Sequence, residues 1–304
     1  MGSAYEGEHF VFIVGSPRSG TTIAAETLAR HPELAYLYEP YYLWNRGSGS
    51  GDDDERGASD LDEATVAFIR EACHGFWQRS GARFVVEQSP EESLMLPLMR
   101  RVLPRARFVH LVRDGYDCIR SIAEEWRRRE DLVAGRNPFA IARKALEALA
   151  RQPSWRFRML QLHYELSESG VLRPWAWVNK SKWKGAPGWG VRIPGWQEIL
   201  EREGRLVLNT LQWSYTVERV LEFVAELPPE ATLELRYEDL AGDAERTLDR
   251  LQAWIGVTPR PGLGADVHAG SLGRGRRSIP PEDLAVVTPR IAPLMERLGY
   301  DVIR

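Results

Sequence analysis

Cysteine is scarce in this chain of 304 residues, and its scarcity excludes two kinds of architecture. The two cysteines, Cys73 and Cys118, are too few for a disulfide framework and too scattered for a cysteine-based metal cluster. We therefore expect the protein to lie in a reducing compartment and to be held together by its apolar core.

Long apolar runs and an excess of positive charge are also absent. No apolar run is long enough to cross a membrane, and the N-terminus lacks the apolar core of a signal peptide. The net charge of -3 disfavours a nucleic-acid partner, because nucleic-acid-binding domains usually carry a basic face. These absences predict a soluble, cytoplasmic protein with no membrane span and no nucleic-acid partner. Lysine is rare among the 40 basic residues, a bias typical of a GC-rich bacterial genome.

What the chain does contain fits one large α/β domain. An apolar content of 43% is sufficient for a sizeable core, and neither a repeat nor a convincing linker divides residues 1–304. Residues 47–59 begin with glycine, serine and aspartate, which predicts a flexible loop. Residues 151–200 hold about half of the 11 tryptophans, interleaved with proline and glycine. That composition indicates an irregular aromatic subdomain, a lid that binds an acceptor, or both.

Strands alternate with helices along the chain, and this alternation predicts parallel β-α-β units. We expect strands over residues 9–15, 34–38, 83–87, 107–112 and 231–236. We expect helices over residues 20–30, 61–79, 91–102, 116–129, 137–150, 206–226, 243–255 and 281–297. The sequence therefore predicts an α/β fold with a central parallel sheet.

The most informative segment covers residues 10–22, where the first strand enters a glycine-bounded turn and then a helix. Gly15 and Gly20 flank four residues, as in the phosphate loop G-x-x-x-x-G-K-[ST], so backbone N–H groups and a helix N-terminus converge on an anion. Thr21 stands where a nucleotide hydrolase has lysine, while Arg18 supplies a cation. We expect a nucleotide ligand without γ-phosphate chemistry. The predicted binding residues are Ser16, Pro17, Arg18, Ser19, Gly20, Thr21 and Thr22.

A second signal for phosphate follows about one hundred residues later. The strand predicted over 107–112 ends at Arg113, and the next helix carries Ser121. Ligands collect at the carboxyl ends of parallel strands, where Arg113 is expected, and Ser121 lies roughly two turns into the helix. Together the two residues predict a site for a second phosphate.

These motifs resemble those of sulfotransferases that use 3′-phosphoadenosine 5′-phosphosulfate (PAPS). Residues 16–22 look like the family's 5′-phosphosulfate loop, Arg113 with Ser121 looks like its 3′-phosphate site, and residues 236–240 are similar to a late strand-end motif. The resemblance implies a three-layer α/β sandwich with a P-loop NTPase-like topology. It also implies PAPS as donor, 3′-phosphoadenosine 5′-phosphate (PAP) as product, in-line transfer to an acceptor hydroxyl, and no metal.

Sulfuryl transfer needs a base, because an alcohol attacks sulfur poorly until its proton is removed. Two carboxylates end predicted strands at the ligand edge of the sheet, Glu39 after the second strand and Glu87 after the third. Branches of the family place a catalytic glutamate at either position. We favour Glu39 as the base, with Arg18 balancing the charge of the leaving phosphate. His268 and His163 stay open as alternatives.

The late loop, residues 270–278, combines glycines with Arg274, Arg276 and Arg277. It resembles, imperfectly, the family's C-terminal 3′-phosphate segment. The resemblance implies that its cations and N–H groups bind that phosphate, and that Tyr237 contacts adenine.

The acceptor is open at this stage, because sugars, aromatic alcohols, peptide tyrosines and lipid hydroxyls all suit a tryptophan-rich lid. We favour a small-molecule, sugar or natural-product acceptor for a chain that looks bacterial and soluble. Two other functions also stay open. A P-loop kinase or nucleotide hydrolase is disfavoured by Thr21. A non-catalytic PAP- or PAPS-binding protein is favoured by Gln88, which stands where many relatives have a lysine that assists the leaving phosphate.

Overall fold

A computed structural model of the chain describes residues 5–46, 52–134 and 189–303. Its strands are β1 (Phe10–Val14), β2 (Leu34–Tyr38), β3 (Phe84–Gln88), β4 (Arg107–Val112) and β5 (Thr232–Arg236). They form one five-stranded parallel sheet in the order β2-β3-β1-β4-β5. Every strand predicted from the sequence is confirmed to within one residue at each end.

Helices cover both faces of this sheet. The described α-helices are α1 (Thr21–Leu28), α2 (Tyr41–Trp44), α3 (Glu63–Ser80), α4 (Leu96–Val102), α5 (Gly115–Ala134), α6 (Trp196–Arg202), α7 (Gly204–Ala225), α8 (Tyr237–Gly242), α9 (Ala244–Ile255), α10 (Arg274–Ser278) and α11 (Pro281–Arg297). Short 3-10 turns cover Ala58–Asp60, Pro90–Leu94, Pro229–Ala231, Leu263–Asp266 and Ala269–Ser271.

Most of the predicted helices are confirmed, and the differences have local causes. The helix expected over 91–102 is divided into a 3-10 turn and α4, because Pro97 fits the first turn of a helix but not its interior. Helices α2, α6, α8 and α10 were not predicted, since four to seven residues are too few to show a helical period. The helix predicted over 137–150 lies outside the described residues.

Helix boundaries follow ordinary capping chemistry. The Asp62 carboxylate accepts the N–H of Thr65 at 2.7 Å and begins α3, and Gly81 in the left-handed conformation ends it. Asp243 and Gly256 do the same for α9. Long amphipathic helices are therefore readable from sequence at both ends.

The sheet buries apolar side chains on both faces, in alternation along β1. Val11 and Ile13 pack with α1 and α9 on one face, while Phe10 and Phe12 pack with α3 and α4 on the other. A further cluster joins α5, α7 and α11. The result is the predicted three-layer sandwich, with β1 at its centre and the loops after β1 and β4 adjacent at one edge.

The structure describes the loop predicted over 47–59 from residue 52 onward, where it contacts a distant segment. Asp54 is buried and accepts hydrogen bonds from the backbone N–H of Arg192 at 2.7 Å and from its guanidinium at 3.0 Å. Trp196 donates its indole N–H to the carbonyl of Asp52 at 2.6 Å. The partners of Asp52 and Asp54 thus lie about 140 residues later in the chain.

Two further sequence predictions concern the proposed lid and the absence of a membrane span. Of the tryptophan-rich segment 151–200, the described residues begin at Trp189, so the proposed lid lies mostly outside them. Among the helices that the structure describes, none combines the length and apolar character needed to cross a membrane.

Candidate functional site

The loop after β1 is shaped for an anion by its backbone. Arg18 has φ 69° and Gly20 has φ 99°, so both adopt the left-handed conformation directly before α1. The first N–H groups of α1 have no acceptor within the helix, and the helix dipole adds positive character there. Ser19 Oγ is buried in the same loop without a hydrogen-bond partner among the described residues. The loop therefore presents several donors to a phosphate, as its glycine spacing predicts.

The other predicted residues of this loop are close-packed. Ser16 and Pro17 are buried, Thr21 is buried at the first position of α1, and Thr22 is half-buried. Ser93, which the sequence analysis missed, donates its hydroxyl to the Gly15 carbonyl at 2.9 Å and accepts the Gly15 N–H at 3.0 Å. That serine lies 78 residues away and no motif marks it.

The Arg18 side chain points from the loop toward α5. It is exposed, and its Nε donates to Ser121 Oγ at 2.9 Å. Its guanidinium carbon lies 5.7 Å from the centre of the Trp189 ring. Arg18 and Ser121, predicted for opposite ends of the nucleotide, are thus in direct contact.

Arg113 connects three segments at the end of β4. One terminal nitrogen donates to the Arg18 carbonyl at 3.0 Å, and the other donates to the Ser271 carbonyl at 3.1 Å. Its side chain is only 7% exposed, and its Nε has no hydrogen-bond partner in the described part of the chain. The guanidinium stacks 4.2 Å from the centre of the Tyr237 ring. Arg113 therefore holds the phosphate loop and the late loop in a fixed relation.

Tyr237, the first residue of α8, directly follows β5 and supports this arrangement. It is nearly fully buried, and its hydroxyl is 2.8 Å from Ser271 Oγ. A Cβ on Gly20 would lie 2.3 Å from the Tyr237 ring, so this ring requires glycine in the loop. The ring face is taken by Arg113 and one edge by Gly20, whereas the resemblance implied a contact with adenine.

The three arginines of the late loop differ in their contacts. Arg276 donates to Asp114 at 2.7 Å and also to the Asp301 carbonyl. Arg274 and Arg277 are exposed, and Arg277 donates to a carbonyl of its own loop. The sequence predicts the same role for all three arginines. In the structure Arg274 and Arg277 are exposed, whereas Arg276 is half-buried against Asp114.

The two candidate bases differ in accessibility. Glu39 follows β2, is half-buried, and has φ 36°, a strained value for a residue with a side chain. Glu87 lies within β3, paired with Phe12 and Leu37 of the flanking strands, and is fully buried. Of these two carboxylates, only Glu39 is partly exposed.

Glu87 forms a buried pair with Glu92, which the sequence analysis missed. Glu87 accepts the indole N–H of Trp44 at 3.2 Å, and Glu92 accepts the Ser89 N–H at 3.1 Å. Burial raises the pKa of Glu87 to about 7, and hydrogen bonds from Glu92 and Trp44 oppose that shift. Burial also raises the pKa of Glu92 well above its usual range, and the Glu87 charge adds to the effect.

One proton shared by the pair accounts for these contacts. Each carboxyl has one buried oxygen, Oε1, that finds no donor when both groups are ionised. A protonated Glu92 donates to Glu87 and satisfies these oxygens while leaving a single negative charge in the core. Gln88 adds no charge here; it is fully buried and accepts from the Tyr36 hydroxyl at 3.4 Å.

The histidines lie apart from this site or outside the described residues. His31 is buried and contacts the Thr258 carbonyl at 2.7 Å, and His110 is buried in β4, as its place in a strand predicts. His268 is exposed before the late loop, and His163 lies outside the described residues. Within the residues that the structure describes, no group of three acidic, histidine or cysteine side chains has a geometry suited to a metal ion.

Comparison with known proteins identifies sulfotransferases as relatives of this chain. The sequence profile of the Sulfotransferase family matches residues 11–166, about half of the chain. Protein-tyrosine sulfotransferase 1 of Danio rerio is 25% identical over 313 residues, which cover 96% of this chain and 72% of that protein.

Two solved structures share the fold. The sulfotransferase domain from the curacin biosynthetic pathway superposes with a TM-score of 0.53 at 18% identity, covering 96% of this chain and 98% of that domain. The sulfotransferase domain from the Synechococcus PCC 7002 olefin synthase gives 0.55 at 16% identity, covering 97% and 95%. The sandwich of this chain therefore has the P-loop-like topology of these domains.

Proposed function

Because this chain belongs to the Sulfotransferase family, we propose that it transfers a sulfuryl group from PAPS to the hydroxyl group of an acceptor. The observation that carries this proposal is the position of Arg113, whose guanidinium joins the backbone of the phosphate loop to that of the late loop. A cation between two loops suits a nucleotide that carries phosphates at both its 5′ and 3′ positions.

Two buried polar atoms fit such a donor. Ser19 Oγ and Arg113 Nε lack partners within the described residues, and phosphate oxygens are acceptors that satisfy both. In this proposal residues 16–22 hold the 5′-phosphosulfate, while Arg113 and Ser121 bind the 3′-phosphate. The contact between Arg18 and Ser121 opens when the nucleotide enters.

The late loop contributes unequally to binding. We assign Arg274 and Arg277 to the 3′-phosphate, because both are exposed, and we assign Arg276 to support through Asp114. Tyr237 acts through Arg113, on which it stacks, since little of its ring is open to adenine.

The chemical step is an in-line displacement at sulfur. Glu39 removes the acceptor proton while the acceptor oxygen forms its bond to sulfur. The bond between sulfur and the bridging oxygen breaks, and its electron pair stays on the 5′-phosphate of PAP. Loop N–H groups, the dipole of α1 and the Arg18 guanidinium stabilise the charge that develops there, so this step needs no metal. Glu87 lies beneath the surface and keeps a supporting role.

Binding of PAP and AMP tests this proposal directly. We expect PAP to bind about tenfold more tightly or better, since charge-assisted contacts to the 3′-phosphate are worth roughly 1.5–3 kcal/mol. Calorimetry with both nucleotides measures the difference, and Arg113→Ala should erase most of it. Equal affinities in the unaltered protein contradict the proposal. Turnover of ATP with Mg²⁺ instead supports a kinase or hydrolase, and PAP binding without transfer to any acceptor supports a nucleotide-binding protein.

For the acceptor we propose the hydroxyl of a small molecule, a sugar or a natural product. Two observations support it: Glu39 is half-buried rather than fully buried, and the centre of the Trp189 ring lies 5.7 Å from the Arg18 guanidinium. Aromatic faces suit sugars and extended apolar molecules. A cytoplasmic location and a bacterial source remain part of this proposal; two buried free cysteines fit a reducing compartment.

A tyrosine hydroxyl is the second candidate acceptor, and one observation favours it. The similarity to protein-tyrosine sulfotransferase 1 of Danio rerio extends over 96% of this chain. A panel of tyrosine peptides, simple phenols, sugars and aliphatic alcohols, assayed with labelled PAPS, separates the two. Transfer restricted to tyrosine peptides overturns the small-molecule assignment and leaves the donor assignment intact.

A further inference from the structure

Asp117, in the first turn of α5, binds the backbone of the late loop. Its carboxylate accepts the N–H of Gly273 at 2.8 Å and the N–H of Gly275 at 2.6 Å. The same carboxylate lies 3.5 Å from a terminal nitrogen of Arg113, and the side chains of both residues are nearly fully buried. The Asp117 carboxylate thus contacts both the late loop and the Arg113 guanidinium.

The late loop fits the start of α5 closely around this carboxylate. A Cβ on Gly275 would lie 2.2 Å from the Tyr116 carbonyl oxygen, so no side chain is accommodated there. Gly273 has φ 64°, a conformation that favours glycine. The loop is therefore held by Asp117 at a position that only these glycines allow.

The negative charge of Asp117 is unexpected next to a proposed phosphate site. A buried carboxylate beside Arg113 repels a phosphate and offsets part of the arginine charge. Its presence lowers phosphate affinity unless it contributes something larger. Two short backbone hydrogen bonds and the orientation of Arg113 are what it contributes here.

We propose that Asp117 is a positioning residue for the 3′-phosphate of the donor nucleotide. It aligns Arg113 and the late loop so that both reach the phosphate together, and in doing so it outweighs its own repulsion of that anion. The inference rests on the proposed function, because it requires a ligand with a 3′-phosphate.

Asp117→Asn tests this inference through the sign of the change. Asparagine keeps the size of the side chain but loses the charge and one of the two strong acceptors. We expect the affinity for PAP to fall about tenfold, while the affinity for AMP, which lacks the 3′-phosphate, changes less than twofold. The KM for PAPS should rise with kcat nearly unchanged at saturating donor. Asp249→Asn, at an exposed position of α9, is the matched control and should change neither.

Three outcomes overturn the inference. Tighter PAP binding shows that the negative charge matters more than the alignment. Equal losses for PAP and AMP show a general structural role. Unchanged PAP binding shows no role at all. A loss of PAP preference in the unaltered protein is a different result, because it contradicts the proposed function and removes this inference with it.

Hydrogen exchange of the nucleotide-free protein gives an independent measurement. Asp117→Asn should speed exchange at the N–H groups of Gly273 and Gly275, which the carboxylate accepts, and leave β1 unchanged. Gly275→Ala displaces the same loop without altering charge, and it should reproduce the selective loss of PAP affinity. Unaltered exchange in the first variant, or unaltered PAP affinity in the second, contradicts the proposed alignment.

Discussion

The two halves of the carboxyl edge of the sheet carry opposite chemistry. Around β1, β4 and β5 lie Arg18, Arg113 and the late loop, together with the free N–H groups of α1. Around β2 and β3 lie carboxyl groups, Glu39 at the surface and the Glu87–Glu92 pair beneath it. In the proposed function the base Glu39 belongs to the acidic half, and the phosphates of the donor meet the cationic half, where the Asp117 carboxylate lies 3.5 Å from Arg113.

The buried ionisable groups of the two halves also have different surroundings. The Arg113 guanidinium lies among backbone carbonyls, the Tyr237 ring and Asp117. Glu87 and Glu92 have no cation beside them among the contacts described, and burial raises the pKa of both carboxyl groups. The cationic half is therefore built to meet an anion, and the acidic half is built to hold protons.

Glu39→Gln, in the acidic half, should have the largest effect on the rate of sulfuryl transfer. Glutamine keeps size and hydrogen bonding but cannot take a proton, so sulfuryl transfer should fall about a hundredfold or more. PAP affinity, which belongs to the cationic half, should be unchanged in calorimetry. Glu87→Gln is the matched variant and should cost less activity, because its carboxyl is fully buried. If Glu87→Gln loses more activity than Glu39→Gln, the base is Glu87 in β3. If both variants stay active, neither carboxylate is the base, and His268 and His163 need the same test.

Arg18→Ala tests the cationic half and should have the next largest effect. Its guanidinium is proposed to stabilise charge on the leaving phosphate, which grows in the transition state. Turnover at saturating PAPS should fall by roughly tenfold or more, and PAP affinity should fall less. Steady-state kinetics and calorimetry give the two losses. Turnover that stays intact at saturating PAPS reassigns Arg18 to donor binding alone.

Glu92→Gln should have a smaller effect, on the pH dependence of stability. Burial raises the folded-state pKa of Glu87 to about 7, above its value in an unfolded chain, and also raises the pKa of Glu92 well above its usual range. The stabilisation is therefore complete below the unfolded pKa of about 4.5 and is lost as pH rises through about 7. The free energy of unfolding should fall by roughly 1–3 kcal/mol over this window. A glutamine at position 92 donates permanently to Glu87 and should flatten this dependence.

Urea unfolding followed by tryptophan fluorescence between pH 5 and pH 8 measures the effect. Glu282→Gln changes an exposed carboxylate on α11 and should leave the slope as in the unaltered protein. An unaltered slope in Glu92→Gln shows that the buried pair does not share a proton.

Local patterns account for the parts of this protein that the sequence predicts well. The apolar run over β1 and the spacing of Gly15 and Gly20 are visible within one short segment, and Arg113 directly follows β4. The capping residues Asp62 and Gly81 likewise act within a few residues of the helix they bound. Such features depend on backbone geometry and on periodic burial, which a short segment contains in full.

Contacts between distant segments were not predictable in the same way. Arg113 reaches carbonyls 95 and 158 residues away, Ser93 holds Gly15 from 78 residues away, and Asp117 accepts Gly275 across 158 residues. No composition or spacing links these pairs, because the sheet order β2-β3-β1-β4-β5 brings them together. The composition that predicts a flexible loop over 47–59 likewise gives no sign that Arg192 binds Asp54 in the folded chain.

The sequence by itself determined the strands, the long helices, the glycine-bounded anion loop and the candidate carboxylates, since each rests on neighbouring residues. Tertiary structure alone decided which of these side chains are available. It buried Glu87 against Glu92 and left Glu39 half-exposed, and it tied Arg276 to Asp114 and left Arg274 exposed. The physical reason is that exposure, shared protons and ion pairs depend on what packs against a group from distant parts of the chain.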